Sequence, residues 1–458
     1  MAFELFKRSG ADSPHSPACS SPSSGVHTPA TARSILFDEA FDSNIDELTL
    51  NNQYILVTGG LGFIGSHTSL ELLKSGYNVI IIDDLSNSFQ TVFDRVLLLA
   101  QRYHKSQGTS CPTLQLHDVD YRNVPALRTL LDAHKLTHPW DTTERSSIIG
   151  VIHFAAFKAV EESIRQPLKY YANNVSGLID FTSTLSAYNI KNFIFSSSAT
   201  VYGTLANQGA PLREEHCVHR PELFPGTTNQ LIEQGCTGIT NPYGRTKWMC
   251  EAILSDLAFS DPDWTIVALR YFNPIGCDAS GLLGEDPKGV PTNLLPVVVK
   301  VMTGQYEQLS MFGSDWDTPD GTAVRDFIHV TDLARGHIAA LAAATKRQLR
   351  QNFRTFNLGT GNGNSVKDVV EAMEAVAEKP IKRVEVGRRE GDVGSCVAMA
   401  GRSQEELGWK TEKSLRDACV DIVNFLGVRE GEERAQLEQL EQQQMMTPTP
   451  LVVVTAEG

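Results

Sequence analysis

Between residues 54 and 272 the chain alternates short apolar runs with longer amphipathic stretches. The runs are YILVTG (54–59), NVIIID (78–83), LQLHD (114–118), SIIGVIHFAA (147–156), NFIFSSS (192–198) and TIVALRYF (265–272). Strands of a parallel sheet are buried on both faces, so they read as continuous apolar runs rather than as strict alternation. The stretches between them, such as Phe63 to Lys74, carry helix-like periodicity. Strand and helix in alternation predict right-handed βαβ units and an α/β fold with a doubly wound parallel sheet. After Pro274 the alternation becomes irregular and rich in Gly, Pro and Asn. That change predicts a first domain over 51–275, with an insertion near 204–240, and a smaller, spatially separate α/β region over 276–428 that holds a substrate.

The ends differ from this core. Residues 1–50 include a Ser/Pro/Thr-rich stretch that cannot bury enough apolar surface to order itself, and a disordered tail is expected there. Residues 429–458 predict a polar, partly helical extension; its apolar repeat does not persist long enough for a coiled coil. The 458 residues are 41% hydrophobic and 21% charged, with a formal net charge of −14. Such an acidic balance argues against broad nucleic-acid binding and against docking on anionic lipid. No apolar run approaches the roughly 20 residues of a membrane span. The eight cysteines include no CxxC pair, which argues against a disulfide framework or a zinc site and for reduced thiols in a cytoplasmic protein. No metal site is expected.

The first strand runs straight into TGGLGFIGSH. Gly59, Gly62 and Gly65 have the spacing of a dinucleotide cradle: one glycine for the tight turn, one for close backbone approach to a pyrophosphate, one for helix–strand packing. Phosphate then sits on a helix N-terminus. The second strand ends in Asp83, an acid placed to accept both adenosine ribose hydroxyls and to repel a 2′-phosphate, so NAD is favoured over NADP. Asp118 could take the adenine amino group and Lys158 a cofactor hydroxyl or phosphate, although a cap or a surface charge explains either one alone. The pair Asn173 and Asn174 stands at a comparable place.

NPYGRTK (241–247) sets Tyr243 four residues before Lys247. On a helix the two share one face, and Pro242 suits its first turn. An ammonium beside a phenol favours phenolate, so the lysine is expected to lower the tyrosine pKa and make it a usable base. The bland alternative is a chance pair on a structural helix. FSSSATVYG (195–203) offers hydroxyls at a strand end to hold the reacting oxygen. Ser198 is the first choice there and Thr200 the second.

At this point the chain resembles the extended short-chain dehydrogenase/reductase family, and within it the nucleotide-sugar epimerases. The resemblance spans Tyr54 to Leu426. It rests on TGGLGFIGSH, HFAAFKAV, SSSATVYG, NPYGRTK, RYFNPIG, GEDPKGVPTNLLP, DGTAVRDFIHVTDLA and RREGDV in that order. Related dehydratases carry an Asp-Glu pair after the Thr of the serine-bearing strand end, where this chain has Val201. The resemblance implies a Rossmann sheet and NAD lined by Gly59, Gly62, Phe63, Ile64, Gly65, Asp83, Asn87, Asp118, Val119, Phe154, Lys158, Asn173, Tyr243, Lys247 and Tyr271. It implies a UDP-hexose held by Ser198, Asn273, Asn293, Leu294, Arg325, Arg389 and Asp392. Its chemistry inverts C4 through a transient 4-keto sugar, with Ser198, Tyr243 and Lys247 catalytic, interconverting UDP-galactose and UDP-glucose. Cys396, small where a relative can carry tyrosine, implies room for an N-acetyl group at C2. A homodimer is also implied. UDP-xylose/UDP-arabinose epimerisation is the alternative activity, and an NAD sensor without catalysis the alternative class. Three departures stand out: the segment 223–238 reads as an exposed insertion, both tails exceed the family core, and Asp84 adds a negative charge beside Asp83.

Overall fold

The computed structural model describes residues 53–138, 141–223 and 231–446. The tail expected over 1–50 and the last part of the C-terminal extension lie outside the described residues. The backbone of Leu415–Met446 is one helix. No helix among the described residues is long and apolar enough to cross a membrane.

The six apolar runs form six strands: β1 (Tyr54–Thr58), β2 (Asn78–Asp83), β3 (Leu114–Asp118), β4 (Ile148–His153), β5 (Asn192–Ser198) and β6 (Thr265–Tyr271). Of the later strands, β7 (Asn273–Ile275), β8 (Val324–His329) and β9 (Phe353–Leu358) bear on the site. The principal sheet is seven-stranded, all parallel, in the order β9-β6-β5-β4-β1-β2-β3. Strand order reverses between β1 and β4, and a doubly wound sheet opens its ligand crevice there, at the carboxyl ends of its strands.

Successive side chains of a strand point to opposite faces. In β1, Ile55 and Val57 join one apolar layer and Leu56 the other. The first layer includes Leu70 and Leu73 of α1 (Phe63–Lys74). The second includes Leu178 and Phe181 of α2 (Gly177–Ala187) and Leu254 of α3 (Pro242–Ser260). Leu333 and Leu341 of α4 (Val330–Thr345) return to the first layer. Each fully buried side chain of this kind stabilises the fold by about 1.5–3 kcal/mol.

The region after Pro274 is less separate than its sequence suggests. β9 extends the principal sheet, pairing Ile266 with Phe353 through Tyr271 with Leu358, and α4 packs on it. The described residues all belong to one contact unit. β9 escapes the apolar pattern because Arg354 and Asn357 are polar. Their partners come from distant segments: Arg354 donates to Glu406 and Glu222, and Asn357 donates to the Leu212 carbonyl (2.9 Å) while accepting from Tyr202 (2.6 Å). The smaller sheet joins β7, β8, Gly363–Ser365 and Ser395–Cys396.

Candidate active site

At the end of β1 the chain turns at Gly59, whose φ of +65° favours glycine. A Cβ on Gly65 would collide with the Gly59 carbonyl oxygen and lie 2.8 Å from the Gly60 Cα. Gly62 caps α1 with no side chain. The turn is therefore a bare backbone cradle at a helix N-terminus, and it fits a pyrophosphate. Phe63 and Ile64 begin that helix. Asp83 is buried at the end of β2. Its Oδ2 accepts from the Leu61 amide (3.0 Å), and its Oδ1 from the Leu85 amide (3.0 Å) and the Ser88 hydroxyl (2.7 Å). A carboxylate has about four acceptor sites, so one is left for a ribose hydroxyl rather than the two expected from sequence. The carboxylate also orders the very loop that forms the cradle, a role the sequence does not reveal.

Most of the other residues expected around a dinucleotide sit at or just after the strand ends, with Asn173 on the helical segment Tyr171–Ser176. Asp118 is exposed at the end of β3, level with Asp83, and Val119 donates its amide to the Asp83 carbonyl (3.1 Å). Phe154 follows β4 and packs against His337 at 4.8 Å. Asn173 is buried and donates to Asn174 (2.9 Å). Tyr271, in register with Ser198, hydrogen-bonds His337 (2.9 Å). Asn87 accepts from the Gly289 amide (3.3 Å). Lys158 is half exposed and pairs with Glu285 at 3.4 Å.

Tyr243 and Lys247 lie on α3, as their spacing predicts. Asn241 caps the helix, its side chain accepting from the Gly244 amide (2.8 Å). Ser198 neighbours the Tyr243 phenol and favours its ionisation. Ser198 Oγ already accepts from the Thr200 hydroxyl (3.0 Å) and the Thr200 amide (3.2 Å). With both acceptor sites filled, its own proton is left for Tyr243. Thr200, second choice from the sequence, is thus the residue that aims the first choice.

The electrostatics correct one expectation. Burial pushes the Tyr243 phenol up to about 12, with the Ser198 contact pulling it down; the lysine does not depress it here. Lys247 is buried, with Nζ 5.9 Å from the centre of the Tyr243 ring. Nζ donates instead to the Ser196 carbonyl and hydroxyl. Burial lowers its own pKa to about 8, against the raising influence of Cys250 and Glu251. Spacing alone placed both groups on one face, but desolvation outweighs their mutual field.

The second residue set also assembles. Arg389 forks onto Asp392 through Nε (3.2 Å) and a terminal nitrogen (3.1 Å). Arg325, on β8, lies 3.8 Å from the same carboxylate and pairs in register with buried Cys396. Asn293 caps the helix that begins at Leu294 and donates to Glu285 (2.9 Å). Asn273 is exposed on β7. Glu285, not singled out from sequence, thus holds both Lys158 and Asn293. The Thr240 hydroxyl donates to the Gly391 carbonyl (3.0 Å), tying the tyrosine helix to the Arg389–Asp392 turn.

The described part of the insertion is mostly exposed over 231–238.

A family model described as the NAD dependent epimerase/dehydratase family matches residues 55–359. The UDP-glucose 4-epimerase of Dictyostelium discoideum is 42% identical over 367 residues, covering 80% of this chain and 94% of that one. The UDP-glucose 4-epimerase of Homo sapiens is 42% identical over 370 residues, covering 80% and 94%. Among solved structures, the UDP-glucose 4-epimerase from Bifidobacterium longum in complex with NAD+ and UDP is similar with a TM-score of 0.68. It is 40% identical, covering 81% of this chain and 98% of that one.

Proposed function

The chain belongs to the NAD dependent epimerase/dehydratase family, and from that premise we propose that it interconverts UDP-galactose and UDP-glucose by inverting C4 of the hexose. The observation that carries the assignment of roles is the grouping of Ser198, Tyr243 and Lys247 at the carboxyl edge of the sheet, with Lys247 Nζ 5.9 Å from the Tyr243 ring and Ser198 acting on the phenol.

NAD is the cofactor, and when bound it supplies the hydride chemistry at C4. Gly59, Gly62 and Gly65 hold its pyrophosphate and Asp83 a ribose hydroxyl. Tyr243 takes the O4 proton and returns it to O4 once the sugar has presented its other face. Ser198 donates toward the reacting oxygen and is held for that purpose by Thr200. Lys247 keeps a positive charge near the phenol without touching it. A phenol whose pKa burial pushes to about 12 is a poor base at neutral pH; Ser198 lowers it, and the positive charge of oxidised NAD, when bound, would add to that. Proton transfer is thereby confined to the loaded site. Arg325, Arg389 and Asp392 anchor the nucleotide far from C4, and Asn273, Asn293 and Leu294 line the path between. Holding the substrate by its UDP leaves the sugar free to present either face.

Buried Cys396 stands in register with Arg325 and leaves room for a C2 N-acetyl group, so UDP-N-acetylglucosamine is a second substrate. The family resemblance supports a homodimer, checked by light scattering. The scattered thiols support a cytoplasmic location, checked by cell fractionation.

The test is to purify the protein without added cofactor, incubate it with UDP-galactose and follow UDP-glucose by NMR. Conversion is expected without added NAD and is abolished by Tyr243→Phe. No conversion with NAD supplied would refute the substrate.

A further inference from the structure

The helix that carries Tyr243 and Lys247 also carries Glu251, one turn further on and fully buried. Burial opposes its ionisation, but Arg270 and His219 together hold it well below the usual carboxylate range. Arg270 donates to both its oxygens, at 3.0 Å and 2.6 Å, and Ser197 donates to one of them. His219 Nε2 lies 2.7 Å from the other. All four acceptor sites of the carboxylate are therefore in use.

The His219 ring is left with an unusual balance. Its side chain is 3% exposed, one nitrogen is fixed on Glu251, and the other, Nδ1, is buried with no hydrogen-bond partner. A buried polar atom without a partner is costly. A histidine held through one nitrogen by a carboxylate, with the other bare, is the usual arrangement of a metal-binding imidazole.

The neighbours are thiols. An antiparallel bridge joins Val218 to Gly235, whose amide donates to the Val218 carbonyl (2.8 Å). Cys217 and Cys236 flank that bridge, one on each of its two segments. The Cys217 sulfur, a His219 ring nitrogen and a Glu251 oxygen all lie within 4.8 Å of one another. Ligand atoms around tetrahedral zinc stand about 3.5–3.8 Å apart, given bonds of about 2.0–2.3 Å, so rotamer-scale adjustment suits Cys217 and His219, and Cys236 stands across the Val218–Gly235 bridge from Cys217 as the third ligand. A cavity lined by Cys217, His219, Arg220, Phe353 and Arg354 opens beside it and offers an ion a way in.

We propose that Cys217, Cys236 and His219 bind a thiophilic divalent cation, zinc by preference, with Glu251 orienting the imidazole and water in the fourth position. The charges balance: two thiolates neutralise the ion, and Glu251 is already neutralised by Arg270. On binding, the two thiol protons leave to solvent and no redox partner is needed. Sequence spacing hid the group because eighteen residues stand between the two cysteines, and the Val218–Gly235 bridge brings them together. The ion would pin that insertion to the helix bearing the catalytic pair.

The test uses the full chain, purified without chelator and dialysed against metal-free buffer. One zinc per chain is expected by mass spectrometry of the metal content. It should be lost in Cys236→Ser and retained in the control Cys111→Ser, with NAD content of both unchanged. Replacement by cobalt should give thiolate-to-metal charge-transfer absorption and the visible bands of a tetrahedral ion. Reduced protein that retains no zinc and shows no cobalt–thiolate band overturns the proposal. So does finding Cys217 and Cys236 joined as a disulfide in freshly isolated protein alkylated without reductant.

Discussion

Replacing Ser198 by alanine should move the pH dependence of turnover, not merely lower it. The Ser198 hydroxyl has its two acceptor sites filled by Thr200, so its proton is left to donate to the neighbouring Tyr243 oxygen as phenolate forms. Hydrogen bonds to a charged group contribute about 1.5–3 kcal/mol, and each pKa unit corresponds to about 1.4 kcal/mol. Losing this donor should raise the phenol pKa by about 1–2 units. The sign follows from the charge: the donor stabilises phenolate, so removing it favours phenol. The active form is phenolate, and below its pKa the rate falls tenfold per unit. At a fixed pH on that limb kcat should fall about 10–100-fold, and the acid limb should shift upward by the same 1–2 units. The field of the bound cofactor sets where the limb lies but cancels in the difference. The assay is kcat for UDP-galactose between pH 5 and 10, with Thr200→Val alongside, which should shift the limb in the same direction by less. A uniform fall in kcat with an unmoved limb would show that Ser198 acts only on the sugar, and would refute the coupling.

Three further outcomes follow from the same geometry. Gly65→Ala sets a Cβ against backbone on two sides; crowding of about 1–3 kcal/mol should cut NAD retention after gel filtration roughly tenfold or more, and full retention would contradict the cradle. Lys247→Met should abolish most turnover yet flatten the pH dependence of stability in NAD-free protein. The buried ammonium titrates near 8 rather than 10.5, so its desolvation penalty, at most about 3 kcal/mol, is full below pH 8 and fades as pH rises to 10.5. Urea unfolding of the wild type should reveal that rise, and the variant should lack it. Cys396→Tyr should remove turnover of UDP-N-acetylglucosamine while sparing UDP-galactose; equal loss of both would refute the view of Cys396 as a gate on C2.

The sheet was readable wherever burial was apolar. All six runs became strands, five of them because a doubly covered strand needs little else, and β3 as a half-buried edge strand. β9 was not readable, since Arg354 and Asn357 are satisfied by Glu406, Glu222, Leu212 and Tyr202, none of them near in sequence. Site residues fixed by helical spacing or by a glycine turn were legible for the same local reason. What failed was electrostatics: Tyr243 and Lys247 were rightly paired in space, but the depth of the cleft decides their protonation. Asp83 was legible as an acid at a strand end, whereas the three donors that occupy it come from loop geometry. Glu251 stands four residues beyond Lys247, and that spacing could have flagged it; its partners Arg270 and His219 could not be foreseen.

The late arrival of β9 has a consequence for how the protein is made. β6 leaves the ribosome roughly ninety residues before the strand that covers its outer edge. At about 5–20 residues per second, that edge stays open for roughly 5–20 s on every nascent chain. An unpaired strand edge is a template for other strands. The growing polypeptide therefore spends this interval dependent on chaperones or on slow neighbours, and synthesis rate over residues 275–358 becomes a determinant of yield.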